Sequence, residues 1–125
     1  MVAVAIFSSD PVLRRNLEQL SREEPAVVIV GMVDQASSLR ELDNRDGVDV
    51  LVADVPTQEL LAEYRAGRAL VVLLDGTDSE NTVRALSAGA RAVLDRSASR
   101  NEIIAAVKAV SAGLVVVAPQ LQVVQ

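Results

Sequence analysis

Asp54 is the residue of this chain best placed to do chemistry. It ends the apolar run Val48-Asp49-Val50-Leu51-Val52-Ala53 and is followed at once by Val55-Pro56. A near-continuous hydrophobic run of this kind reads as a strand buried on both faces of a parallel sheet. The rim beyond the carboxyl ends of such strands is where open α/β sheets bind ligands. A carboxylate there can serve as a phosphate acceptor, as an aspartyl nucleophile, or as one half of an ion pair. Arg96, which closes a later apolar run, is the candidate cation. Asp10 and Asp75 are further acids that fall just past apolar runs, the first after Phe7-Ser8-Ser9 and the second after Leu70 to Leu74.

What the chain lacks narrows the chemistry. It has no histidine and no cysteine. That removes the usual general base, nucleophilic triads, disulfides and thiolate metal sites. A phosphatase built on an aspartyl nucleophile would want a second carboxylate two residues on, and Pro56 stands there. A dinucleotide cradle needs glycine at the first strand–helix turn; that turn is Phe7-Ser8-Ser9-Asp10-Pro11. The expectation is a protein that is not an enzyme. A net charge of −5 gives no basic surface for nucleic acid. No apolar stretch approaches the roughly 20 residues of a membrane span, and Met-Val-Ala-Val-Ala-Ile lacks the basic region of a signal peptide. These features predict a cytoplasmic domain with no membrane contact.

The elements that must position Asp54 follow from periodicity. With 125 residues the chain predicts one domain. Half of it is apolar but only 2% is aromatic, so Val, Ala and Leu build the core. Strands are predicted over Val2–Phe7, Val27–Val33, Val48–Ala53, Leu70–Leu74 and Ala90–Leu94. Asp10-Pro11 opens a helix, with Asp as the cap and Pro in the first turn. Leu13, Leu17 and Leu20 form its inward stripe. Further helices are predicted over Asp34–Arg45 (Leu39 and Leu42 inward), Thr57–Ala66 (carrying Leu60, Leu61 and Tyr64) and Ser79–Ala88 (Val83 and Leu86 inward). The last starts at the capping box Ser99-x-x-Glu102 and buries Ile103, Val107 and Val110. Gly67, Gly89 and Gly113 each fall where a helix C-terminus needs glycine. Alternation of this kind implies right-handed parallel crossovers. The fold class predicted is α/β: a flavodoxin-like, doubly wound, five-stranded parallel sheet in the order 2-1-3-4-5, with helices on both faces. Residues 1–113 form the domain, and 114–125 are read as an apolar linker or tail.

With these residues in order, the chain resembles a response-regulator receiver domain over essentially its whole length. The likeness is strongest from Asn101 to Leu121, NEIIAAVKAVSAGLVVVAPQL, with Gly89-Ala90 before the fifth strand. That stretch resembles the last helix and linker of regulators with a LuxR/NarL-type DNA-binding output domain. The resemblance implies phosphoryl transfer from a histidine kinase to Asp54, with Mg²⁺ held by an acidic pair after the first strand. Here that pair is replaced by Ser8 and Ser9, and Asp10 follows one place later. A hydroxyl brings no charge to offset dehydration of a hard dication. The hydroxyl that ends the fourth strand in the family is replaced by Asp75, which would repel a phosphoryl group. Lys at the end of the fifth strand is replaced by Arg96, the aromatic switch position is Val93, and the loop after Asp54 lacks Met-Pro-x-x-x-Gly.

The resemblance thus implies an atypical receiver of a two-component transcriptional regulator, impaired in Mg²⁺-dependent phosphorylation and acting by protein–protein interaction or dimerisation. The alternative is a receiver that accepts a phosphoryl group on Asp54. For Asp54 the plainer reading is a strand-end carboxylate neutralised by Arg96; for Asp10 it is a helix cap, although Asp10 and Asp54 are the metal ligands if there is one. Asp75 reads as a turn with Gly76 or as part of an acidic pocket, and Thr77 as a distant substitute for the missing hydroxyl. Arg96 is assigned to countering Asp54 and Asp75 or to binding phosphate. No cofactor is required on this reading. The expected partners are a second copy of the chain, a histidine kinase in the alternative case, and DNA only through an output domain outside these residues.

Overall fold

In the computed structural model of the chain the described residues are 1–35, 47–54, 69–74, 79–87 and 89–117. The strands are β1 (Val2–Phe7), β2 (Val27–Val33), β3 (Val50–Ala53), β4 (Ala69–Leu74), β5 (Ala92–Asp95) and β6 (Val116–Val117). The helices are α1 (Pro11–Glu18), α2 (Leu20–Glu23), α3 (Ser79–Ser87) and α4 (Arg100–Ser111). The sheet runs β2-β1-β3-β4-β5-β6, and every pairing is parallel. The predicted order 2-1-3-4-5 is therefore present, with one strand more at the β5 edge. Val116 and Val117 pair with Ala92 and Val93, so the apolar tail begins by joining the sheet. Most of the helix predicted over 34–45 and all of that over 57–66 lie outside the described residues, as do Gly67, Asp75 and Thr77.

The core is the apolar runs themselves. Every residue of β3 and β4 is buried, as expected for strands covered on both faces. Helix α4 packs against β1, β3, β4 and β5, burying Ile103, Ile104, Ala106, Val107 and Val110. Each large aliphatic side chain so buried contributes about 1.5–3 kcal/mol relative to exposure. The helix starts where the Ser99–Glu102 capping box closes. It ends before Gly113, whose φ of +90° a side chain would oppose.

Three details differ from expectation. The first helix is broken at Gln19, so Leu13 and Leu17 belong to α1 while Leu20 opens α2. On α3 Leu86 packs against the core as expected, but Val83 is 44% exposed and the buried positions are Thr82 and Ala85. Apolar identity was the misleading signal there, because a threonine whose hydroxyl is satisfied can be buried as readily as valine. Strands β3 and β5 both start two residues late, at Val50 and Ala92, although Val48 and Ala90 are buried.

Candidate functional site

The parallel register of β1 with β3 sets the site. Phe7 lies opposite Ala53, so Ser8 and Asp54 leave the sheet side by side. The backbone N–H of Asp54 donates to the carbonyl of Phe7 at 3.2 Å. The Ser8 hydroxyl then donates to Asp54 Oδ2 at 2.8 Å, and both residues are buried. The same hydroxyl oxygen accepts the backbone N–H of Asp10 at 3.1 Å. Ser9, by contrast, is exposed.

Asp10 divides its two carboxylate oxygens. Oδ1 accepts from Val12 N at 3.0 Å and Leu13 N at 3.5 Å, capping α1. Such a cap stabilises a helix start by about 1 kcal/mol. Oδ2 accepts from Arg96 Nη2 at 2.7 Å. Arg96 enters from the end of β5, where its N–H donates to the carbonyl of Leu74. Its Nη2 lies 3.6 Å from Asp54 Oδ2. Expected as the partner of Asp54 and Asp75, Arg96 thus makes its shorter contact with Asp10. The Asp54 side chain is 2% exposed and that of Arg96 28%. Asp54 Oδ1 is buried and has no hydrogen-bond partner among the described residues. Beside Arg96, Asp95 is held below the usual carboxylate range because the backbone N–H and the hydroxyl of Ser97 both donate to its Oδ1.

These residues fit a resident Mg²⁺ poorly. The ion takes one or two carboxylates with near-octahedral geometry and keeps several waters. Here the hydroxyl of Ser8 is bonded to Asp54, both oxygens of Asp10 are committed, and a guanidinium stands 3.6 Å from the remaining carboxylate. Among the described residues no three acidic, histidine or cysteine side chains gather as a metal site.

Beside the ring of Asp54, Ser8, Asp10 and Arg96, in the groove that Asp10 and Arg96 share with Asn16 and Arg100, begins a polar seam between helices that residue spacing did not reveal. Arg100 Nε pairs with Glu23 at 2.7 Å, its Nη1 donates to Asn16 Oδ1 at 3.4 Å, and Lys108 Nζ pairs with Glu24 at 2.8 Å. Partners 84 residues apart carry no local pattern; only the topology brings them together. Asp10, Arg96, Arg100 and the exposed Val12 line an open groove of about 500 Å³ between α1 and α4.

No protein-family model matches the chain. It is 31% identical over 129 residues to the transcriptional regulatory protein UhpA of Salmonella typhimurium, an alignment covering 98% of this chain and 65% of UhpA. The chain thus spans just under two-thirds of that relative's length. It superposes on the non-phosphorylated receiver domain of RcsB from Escherichia coli with a TM-score of 0.83 at 15% identity, covering 94% of this chain and 98% of that one. The receiver domain of the putative response regulator NarL from Mycobacterium tuberculosis gives a TM-score of 0.80 at 22% identity, covering 90% and 97%. At those identities the two structures speak for the fold.

Proposed function

We propose that the chain is a receiver domain of a LuxR/NarL-type response regulator of a two-component system, an atypical one impaired in Mg²⁺-dependent phosphorylation and acting through protein–protein contact. The supporting observation is the 2.8 Å bond from Ser8 to Asp54, with Arg96 beyond it. Where an acidic pair would hold a dication, a neutral hydroxyl and a guanidinium already satisfy one carboxylate oxygen. A second carboxylate ligand is missing at Ser8 and Ser9, so a metal entering here would break bonds without a compensating charge. On this reading the partner is a second copy of the chain, and the whole protein controls transcription in the cytoplasm through a DNA-binding domain outside these residues. The likeness to UhpA, a transcriptional regulatory protein, supports that output.

The test is direct. The chain is incubated with a small-molecule phosphodonor and Mg²⁺ beside a receiver known to be modified, and the intact masses are compared. The expected result is no added phosphoryl group. A mass gain that Asp54→Asn abolishes would overturn the proposal.

One observation favours a second reading. Asp54 Oδ1, without a partner among the described residues, is free to act as a nucleophile. In that case Oδ1 attacks the phosphorus of a phosphohistidine, the P–N bond breaks, and an acyl phosphate forms on Asp54. The same mass measurement decides between the two.

A further inference from the structure

We propose that Arg96 links the buried carboxylate of Asp54 to the first turn of α1, so that the charge on Asp54 sets how firmly that helix start is held. This inference rests on the reading of the Asp54 site as a self-contained polar network, and it names what the network controls. Arg96 Nη2 stands between two carboxylates, 2.7 Å from Asp10 Oδ2 and 3.6 Å from Asp54 Oδ2. Asp10 carries the consequence into the helix, because its other oxygen caps Val12 and Leu13. The ring is closed on its far side by Ser8, which accepts from Asp10 N and donates to Asp54.

A polar ring with a buried side, here Ser8 and Asp54, redistributes strength when one member changes charge. With Asp54 ionised, one guanidinium nitrogen is shared by two anions. With Asp54 neutral, Asp10 is its sole carboxylate among the described residues and takes the interaction the two had shared. The Asp10 carboxylate is then held more tightly, and so are the two amides it caps. Coulomb attraction grows as separation shrinks, so the nearer pair gains most.

The link ends at a surface. Asp10 and Arg96 both line the groove between α1 and α4, next to the exposed Val12. Coupling between two sites is reciprocal. A partner that engages Asp10 or Arg96 in that groove therefore alters the surroundings of Asp54 by the same free energy, with no phosphoryl group needed.

The experiment follows amide resonances and hydrogen exchange of Val12 and Leu13 in the 125-residue chain. Asp54→Asn keeps the size of the side chain and an oxygen for the Ser8 hydroxyl. In the wild-type background it is expected to move both resonances and to slow exchange several-fold. In an Arg96→Gln background most of that response should vanish, and Arg96→Lys should restore part of it. An equal response in both backgrounds, or none in the wild type, overturns the proposal. Should Arg96→Gln not fold, Asp10→Asn retains a capping side chain and reads the link from its other end. It should move the amide signals of Ser8 and Asp54; unmoved signals there overturn the proposal too. The phosphodonor result stands apart: a mass gain would defeat the reading of impaired phosphorylation and leave these amide responses as measured.

Discussion

Strand β3 has an aspartate before it and another after it, and the two can be compared closely. Each bonds β1 across the same parallel register. Ala3 N donates to Asp49 Oδ2 at 2.9 Å, and Ser8 Oγ donates to Asp54 Oδ2 at 2.8 Å. Asp49 is exposed and Asp54 is buried. Water can serve the remaining lone pairs of Asp49. Asp54 must find its partners in protein, and it has a hydroxyl and a guanidinium. A charge removed from water is costly unless it is paired and hydrogen-bonded. Topology therefore sets who the neighbours are, and solvent decides how much each neighbour matters. The carboxyl end of β3 is where a change of charge has leverage.

The largest expected effect comes from placing a second acid at the buried end. Ser8→Asp would remove the donor to Asp54 and set a like charge against it. An uncompensated buried charge costs about 3–5 kcal/mol, so the urea midpoint should fall steeply. Two facing carboxylates are, however, what a hard dication binds. Millimolar Mg²⁺ should recover part of the loss, by linkage to the folded state, while leaving the wild-type midpoint unchanged. A variant as stable as the wild type without metal would mean that Asp54 is not desolvated in the way its burial implies.

The next contrast is milder and compares the ends directly. Ser8→Ala strands a buried oxygen, for which about 1–3 kcal/mol is the usual cost. Asp49→Ala removes an exposed acceptor and should cost about 0.5–1.5 kcal/mol, the net worth of one hydrogen bond. Paired denaturation curves check the order. Equal losses would remove solvent as the distinction between the two aspartates.

Much of this was legible in the sequence for reasons that differ by region. The strands are apolar runs and α4 is a periodic stripe with a capping box, so β1 and β2 fall on the predicted residues and the sheet order follows. Asp10 before Pro11 was readable as a cap because the signal is local. Val116-Val117 was not readable as a strand, since two residues have no period and pairing comes entirely from β5. The site was half legible. Residue types at strand ends placed Asp54, Ser8 and Arg96 on one rim. The choice of Asp10 over Asp54 as the closer partner of Arg96 rests on a difference between 2.7 and 3.6 Å. Partners 46 and 86 residues apart leave no spacing from which to read such a difference.

The smallest expected effect sharpens the comparison from the solvent side. Glu24, next to α2, is held below its ordinary value of 4.5 because Lys108 donates to it at 2.8 Å and Ala26 N donates at 3.1 Å. A carboxylate with a lowered pKa in the folded state stabilises the fold above its unfolded pKa. That contribution is lost as pH falls through the folded value. The Lys108 contact should therefore be fully present at neutral pH and disappear only below the ordinary value of 4.5. Denaturation midpoints of the wild type and Lys108→Gln should differ slightly at pH 7 and converge in acid. Added salt should shrink the neutral-pH difference, because solvent-exposed pairs are screened. Asp10 and Arg96 are themselves 38% and 28% exposed, so exchange at Val12 and Leu13 should resist the same salt better only through the ring's buried members, Ser8 and Asp54. A seam and a ring that responded alike to salt would mean that both behave as surface pairs, and the distinction drawn from the two ends of β3 would stop at Asp54 itself.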